Sequence, residues 1–413
     1  MPADYLRNAL LTGLEWLVLY HLWEAFPRLR KIPRSFWYAL AGLLLAGNFW
    51  FRAIKRSFHA TPGSPEIWSF LYRLYVTSYF VVGAAAAGAG FLLLAHYGLK
   101  WWEKRREIAP ASTSPAGGGG REAALTRRAF LSYGVAGGVT LAAGSSGWAV
   151  ATSNEKDVRV RTIRVPVPEE HRHLVGLRIA QITDIHVGPF LGEKELEGMM
   201  RLVMKERPDA IVHTGDHWNS EPEYEKEGEN PLSLLEAPHG LYAVPGNHDR
   251  YFGVEKFSAL FEKNGIQVLR ARNVEVPGVP GLVLWGINDP AEKLPKSFPE
   301  VEELGKQLDP SKYNLLLTHR PEAFREASQA GFQLSLAGHT HGGQVHLNLA
   351  GIDISPAKLF HPYDWGLFKR ENSHLYVSSG LGYAGPPVRS FCPPEVAVIE
   401  FVRAGDGDKA QKG

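Results

Sequence analysis

The sequence predicts an α/β domain over residues 152–413, with layers around two facing sheets, preceded by an all-α transmembrane anchor over residues 1–151. Three observations predict it. Composition shifts near residue 150, from long Leu-, Ala-, Trp- and Tyr-rich blocks to a mixed globular pattern. Beyond that point short apolar runs first alternate with helix-spaced segments and then follow one another closely, as expected of helices and strands layered on two sheets. Before it lie apolar blocks of the length that crosses a bilayer.

The anchor is read from four segments. Apolar blocks occupy roughly residues 6–23, 36–51 and 75–99. A bilayer core needs about 20 apolar residues in a helix. The third block meets that length and the second is slightly short. The first carries Glu15 and His21, so an amphipathic helix lying in the interface is the alternative there. The fourth segment, 126–151, opens on Thr126-Arg127-Arg128-Ala129-Phe130-Leu131 and runs on through Gly and Ala. Paired Arg, then Phe-Leu, then a weakly apolar stretch resembles a twin-arginine export signal, here internal and retained; a plain stop-anchor helix is the alternative. Basic residues set the orientation. Arg28, Arg30, Lys31 and Arg34, and the seven basic residues between positions 100 and 128, place both of their loops in the cytoplasm, while Arg52, Lys55 and Arg56 argue the other way. Four spans then put residues 152–413 on the outer, periplasmic face of the cell (inner) membrane, as part of a multi-pass protein. The Ser/Pro/Gly stretch at 109–120 reads as a flexible loop.

In the domain, residues 178–183 read as a buried strand and 193–206 as a helix stopped by Pro208. Strands follow at 210–213 and 241–244, then a helix at 256–263 closed by Asn264-Gly265. Further strands are expected at 282–287, 314–317, 332–337, 345–349, 375–378 and 396–401. The acidic segment 221–230 reads as a solvated loop.

Five short motifs stand where these strands end: Asp184-Ile185-His186, Gly215-Asp216, Gly246-Asn247-His248-Asp249, Thr318-His319 and Gly338-His339-Thr340-His341. Together they supply Asp, His, Asn and a carboxylate that two ions can share, the donor set of a two-metal hydrolytic site. Oxygen and imidazole donors without thiolate suit Mn, Fe, Zn or Co. Cys392 is the sole cysteine, which excludes an intrachain disulfide and a thiolate cluster. Net charge is +2, and no basic stripe interleaved with aromatics marks a nucleic-acid surface.

At these residues the chain resembles the calcineurin-like metallophosphoesterases, over roughly 176–401. The longer string from Gly338 to Gln344 is similar to that of the membrane-associated bacterial phosphodiesterases that carry a twin-arginine or transmembrane N-terminus. The resemblance implies a four-layer α/β/β/α sandwich. It implies two divalent ions, the first on Asp184, His186, Asp216 and His341, the second on Asp216, Asn247, His319 and His339. It also implies that His248 contacts the phosphate and assists the leaving group, with Asp249 as its orienting partner. Arg389 and His217 are candidates for substrate contact, with packing as the alternative for both. His346 reads as structural; His171, His173, His239, His361 and His374 lack ligand spacing and read as surface residues.

The function expected is hydrolysis of a phosphate ester, a diester by resemblance, by metal-bound hydroxide without a covalent enzyme intermediate. A membrane-proximal site suggests a lipid-linked phosphate. Two other functions compete: a pyrophosphatase-type hydrolase of a nucleotide-linked lipid precursor, which the outward topology disfavours, and a non-catalytic metal-binding membrane receptor or scaffold, which the full ligand set disfavours. A transport role would require charged residues inside the spans, and few are present.

Overall fold

A computed structural model describes residues 158–406 apart from positions 189, 220–229, 292–294, 345, 350–351, 360, 385–388 and 390. The chain divides into two units, Met1–Ala151 and Thr152–Gly413. The expected anchor and its twin-arginine-like segment lie outside the described residues, as does most of the acidic segment 221–230. Among the described residues no helix is long and apolar enough to cross a membrane.

The apolar runs become strands because they are short, rich in β-branched residues and buried. In chain order they are β1 (Arg159–Val167), β2 (Arg178–Ile182), β3 (Ala210–His213), β4 (Leu241–Ala243), β5 (Gln267–Val268), β6 (Arg272–Glu275), β7 (Leu282–Gly286), β8 (Tyr313–Leu317), β9 (Leu334–Ala337), β10 (Leu347–Leu349), β11 (Ile352–Ile354), β12 (Gly366–Arg370), β13 (Ser373–Val377) and β14 (Glu395–Arg403). They form two mixed six-stranded sheets, β1-β14-β2-β3-β4-β5 and β12-β13-β9-β8-β7-β6, and a β10–β11 hairpin. In the first sheet β2, β3, β4 and β5 run parallel. In the second, β7, β8, β9 and β13 do. Parallel strands present their C-terminal ends together, where an open α/β sheet gathers its functional loops.

The two sheets share one core. Ile179, Val212 and Tyr242 of the first pack with Leu284, Leu315, Leu334 and Tyr376 of the second. Helix α1 (Glu193–Lys205) buries Leu196, Met199, Met200 and Val203, a one-face repeat with spacings of three and four residues. It joins α3 (Val254–Lys263) and its Phe257, Leu260 and Phe261 on the outer side of the first sheet. Helices α4 (Pro299–Gly305) and α5 (Phe324–Ala330) cover the second sheet through Val301, Leu304 and Ala327. Each fully buried aliphatic or aromatic side chain here contributes about 1.5–3 kcal/mol of transfer free energy. The layers thus run helix, sheet, sheet, helix.

Some elements were not anticipated. β1 hides in Arg159–Val167 because three arginines break the apolar run, but from Thr162 onward it buries every second residue, Ile163, Val165 and Val167. Its stability comes from parallel pairing with β14, which is distant in sequence. Helix α2 (Asn247–Phe252) starts inside a motif read as a loop. His171 also departs from its surface reading: it is buried and stands edge-on to Tyr313 at 5.4 Å.

Candidate metal centre

The site is built from loops that leave parallel strands and then turn through unusual backbone angles. Asp184 (φ 51°), His186 (φ 50°), Asp216 (φ 57°), His339 (φ 72°) and His341 (φ 51°) all occupy the left-handed region. Asp and His tolerate that region better than most residues, at a cost of order 1–3 kcal/mol each. The arrangement solves a geometric problem. Residues two apart on a strand share a face, but only at strand spacing; past the end of β2, left-handed turns at Asp184 and His186 bring both side chains to one point. The turns are held by the neighbouring loop, Asp184 N donating to Gly215 O at 2.9 Å and His186 N to Asp216 O at 3.1 Å.

Two glycines permit the close approach. A methyl at Gly246 would run into Asp216 Oδ1, and one at Gly338 would run into Asp184 Oδ2 and Thr183 Oγ1. With no side chain at 338, the next amide, His339 N, donates to both Asp184 oxygens at 3.0 Å. Thr183 Oγ1 donates to Asp184 Oδ2 at 2.7 Å.

The donor atoms gather into three overlapping groups: Asp184, His186 and His341; His186, Asp216 and His248; and Asp216, His319 and His339. Asp216 stands between them, its Oδ2 lying 3.1 Å from His319 Nε2 and 3.6 Å from His186 Nε2. His341 Nε2 is 3.3 Å from Asp184 Oδ1 and 3.0 Å from His186 Nε2. His339 turns Nδ1 towards His319 Nε2, at 3.1 Å. Asn247 completes the set with Oδ1 buried and without a hydrogen-bond partner. A buried acceptor with nothing to accept from is costly unless a cation takes that place. The residues therefore fit two divalent ions: Asp184, His186, Asp216, His319, His339 and His341 of the sequence-derived set converge with His248 among them, and Asn247 adds a buried, unpartnered oxygen.

Electrostatics agree with that fit. Burial lowers His186 to about 3 against the pull of Asp216, and holds His339 and His341 well below the usual histidine range. These imidazoles are neutral, as ligands must be. Burial also opposes charge on His319 and Asp216, but their mutual attraction outweighs it, raising His319 to about 10 and depressing Asp216. Burial, opposed chiefly by His319, raises Asp184 to about 6.

The reading of Asp249 changes, while His217 and Arg389 are packed, the alternative open to both. Asp249 does not serve as the partner of His248: its Oδ2 accepts from Asp216 N at 2.7 Å and Gly246 N at 2.8 Å, and its Oδ1 from His217 N at 2.8 Å. It anchors the backbone that carries Asp216. His248 Nδ1 instead meets Asn219 O at 3.1 Å, and its ring stands edge-on to His186 at 4.7 Å. His217 does not line a pocket; it is buried among His213, Trp218 and Phe261, with ring centroids 5.1–5.7 Å away. Arg389 is 5% exposed and directs its guanidinium at carbonyls, with Nη2 donating to Gly382 O at 2.6 Å and Ser379 O at 2.7 Å, and its Nη2 lies 3.5 Å from His341 Nδ1. It braces the loop behind His341. Arg320 was missed. It is buried, donates from Nε to Asp289 Oδ1 at 2.6 Å, and places Nη1 3.3 Å from His339 Nε2. A basic residue directly after the His319 motif was the available signal.

Known proteins bear on this site. The calcineurin-like phosphoesterase family model matches residues 177–343, which contain every proposed ligand. An uncharacterized metallophosphoesterase of Aquifex aeolicus is 32% identical over 233 residues, covering 56% of this chain and 87% of that protein. The chain belongs to the calcineurin-like metallophosphoesterases. An uncharacterized metallophosphoesterase of Campylobacter jejuni is 30% identical over 60% of this chain, and a Bos taurus transmembrane protein with metallophosphoesterase domain is 32% identical over 56% of it. The matches span only 64% and 54% of those two relatives' own lengths. As a family member the chain is a phosphoesterase-type hydrolase with a metal-binding centre.

Proposed function

We propose that this protein is a membrane-anchored, metal-dependent phosphodiesterase acting on a lipid-linked phosphate. The observation that carries the hydrolytic reading is Asp216, which lies in two donor groups at once and so offers one carboxylate to two ions. Asp184, His186, Asp216 and His341 would hold the first ion, and Asp216, Asn247, His319 and His339 the second. When bound, such a pair neutralises the ester's negative charge and activates water.

The remaining work falls to the chain. His248 is fixed through Nδ1 by Asn219 O, so Nε2 is the atom that gives a proton to the departing ester oxygen. Asp249 keeps Asp216 in place through its amide. Arg320, tied to Asp289, and Arg389, tied to carbonyls, fix the faces of His339 and His341 turned from the centre. The anchor reading rests on the apolar blocks before residue 152 and on the name of the Bos taurus relative. It comprises four spans, with the segment at 126–151 as a twin-arginine-like signal and the hydrolytic domain on the outer face of the cell membrane.

The test is hydrolysis of bis(p-nitrophenyl) phosphate by the full chain in detergent, stripped of metal and then restored with Mn, Fe, Zn or Co. Turnover that returns with metal and is lost in His248→Ala and Asp216→Asn supports the reading. Two bound ions without turnover on diester or lipid-linked phosphates would favour a non-catalytic receptor. Protease access to the domain from the outer face of spheroplasts tests the orientation.

A further inference from the structure

His361 and Glu322 form a pair outside the proposed ligand set, at the His339 end of the centre. Glu322 sits in the short turn Pro321–Ala323 that follows the His319-Arg320 motif. His361 follows the turn Pro356–Leu359, and its amide donates to Ala357 O at 2.8 Å. That turn stands against the glycines after His341: a methyl at Gly343 would come within 2.8 Å of Ala357 Cβ. Glu322 therefore comes from the loop that carries His319, and His361 from a turn packed against the loop that carries His339 and His341.

The geometry repeats that of His248. The His361 ring is edge-on to His339, with centroids 5.8 Å apart and planes at 85°. The His248 ring is edge-on to His186, at 4.7 Å and also 85°. In each case the ring is oriented through Nδ1, by Asn219 O for His248 and by Glu322 Oε1 at 2.6 Å for His361. At His361, Nε2 is the atom left to meet a ligand. The pair is accessible, with side chains 21% and 25% exposed for His361 and Glu322. Glu322 Oε2, by contrast, is buried and has no hydrogen-bond partner, so His361 is the side chain that the carboxylate orients through Oε1.

We infer that His361, oriented by Glu322, is a second substrate-contacting histidine, which hydrogen-bonds an oxygen of the phosphate ester at the end of the centre flanked by His339. The inference rests on the hydrolytic reading above for its substrate class. His248 and His361 then bracket the ester from two sides, one beside a ligand of each ion. Glu322 is a positioning residue that acts through the imidazole.

The experiment uses the full chain in detergent, loaded with Mn. Binding of inorganic phosphate is measured by calorimetry and metal content by elemental analysis, beside KM and kcat on bis(p-nitrophenyl) phosphate, for His361→Ala, His361→Gln and Glu322→Gln. A hydrogen bond to a charged ligand oxygen corresponds to about a tenfold loss of phosphate affinity in His361→Ala, with a parallel rise in KM and full metal content. His361→Gln recovers most of that loss, because Gln keeps a hydrogen-bonding head, and Glu322→Gln falls between. Phosphate affinity unchanged in His361→Ala at full metal content overturns the inference. So does a loss that follows lost metal and is reversed by saturating Mn, because His361 would then only support His339. Phosphate binding needs no turnover: a wild-type chain that binds phosphate but hydrolyses no diester defeats the hydrolytic reading and leaves this one standing.

Discussion

Replacing Asp249 by Asn separates two roles for one buried carboxylate. Its oxygens accept three short hydrogen bonds, from Asp216 N at 2.7 Å, Gly246 N at 2.8 Å and His217 N at 2.8 Å. Burial, then the neighbouring Asp216, raise this carboxyl to about 7; above that pH a hydrogen bond to a charged acceptor contributes about 1.5–3 kcal/mol, so the three amount to about 4.5–9 kcal/mol before their mutual dependence is allowed for. Asn keeps one accepting oxygen and turns a donor towards amides that can only donate. About half the total is lost, roughly 2–4 kcal/mol, or a fall in Tm of about 4–16 °C for a domain of this size. The freed Asp216 loop should also cost about 10–100-fold in metal affinity, the range seen when groups behind metal ligands are removed. The assay is thermal unfolding of the metal-free full chain, with chelator competition for Mn affinity. A variant that melts within about 1 °C of wild type and binds metal normally, yet loses hydrolysis, refutes the anchoring argument and returns Asp249 to service beside His248.

Three further predictions follow from the same geometry. Gly338→Ala places a methyl against Asp184 Oδ2 and Thr183 Oγ1, so the loop must move and metal content by elemental analysis should fall at least tenfold at limiting metal, a loss of about 1.4 kcal/mol or more. Phe257→Ala empties the contact between α3 and the first sheet, where Phe257 stacks on Phe261 at 4.1 Å; it should destabilise the domain by about 3–5 kcal/mol in denaturant melts while leaving metal affinity unchanged once folded. His171 is held below its usual range by burial, which outweighs Glu170. The unfolded chain therefore takes up a proton first as pH falls, so the stability contributed by neutral His171 is full above about pH 6.5 and is lost as pH drops below that. A wild-type minus His171→Gln difference in stability that does not shrink between about pH 7.5 and pH 5.5 contradicts this.

What the sequence determined by itself was local. Strand ends were legible because β2, β3 and β8 are short, buried runs that each stop at a polar motif, and period-two or uninterrupted burial is encoded residue by residue. Helix α1 was legible because Leu196, Met199, Met200 and Val203 fall on one face. The ligand types were legible because metal chemistry restricts them to a few side chains. The roles of residues around those ligands depended on the tertiary structure. Asp249 adjoins His248 in sequence yet spends its carboxylate on amides around 30 residues away, at His217 and Asp216. Arg389 resembled a phosphate contact until carbonyls of Ser379 and Gly382 surrounded it. His361 looked like a surface histidine and was brought to His339 by a turn that no ligand spacing marks. His339 N and Asp184 meet across 155 residues because Gly338 leaves room for them. Periodicity and residue chemistry are written along the chain, whereas hydrogen-bond partners are assigned by packing, which satisfies each buried polar group with whatever neighbour the fold supplies.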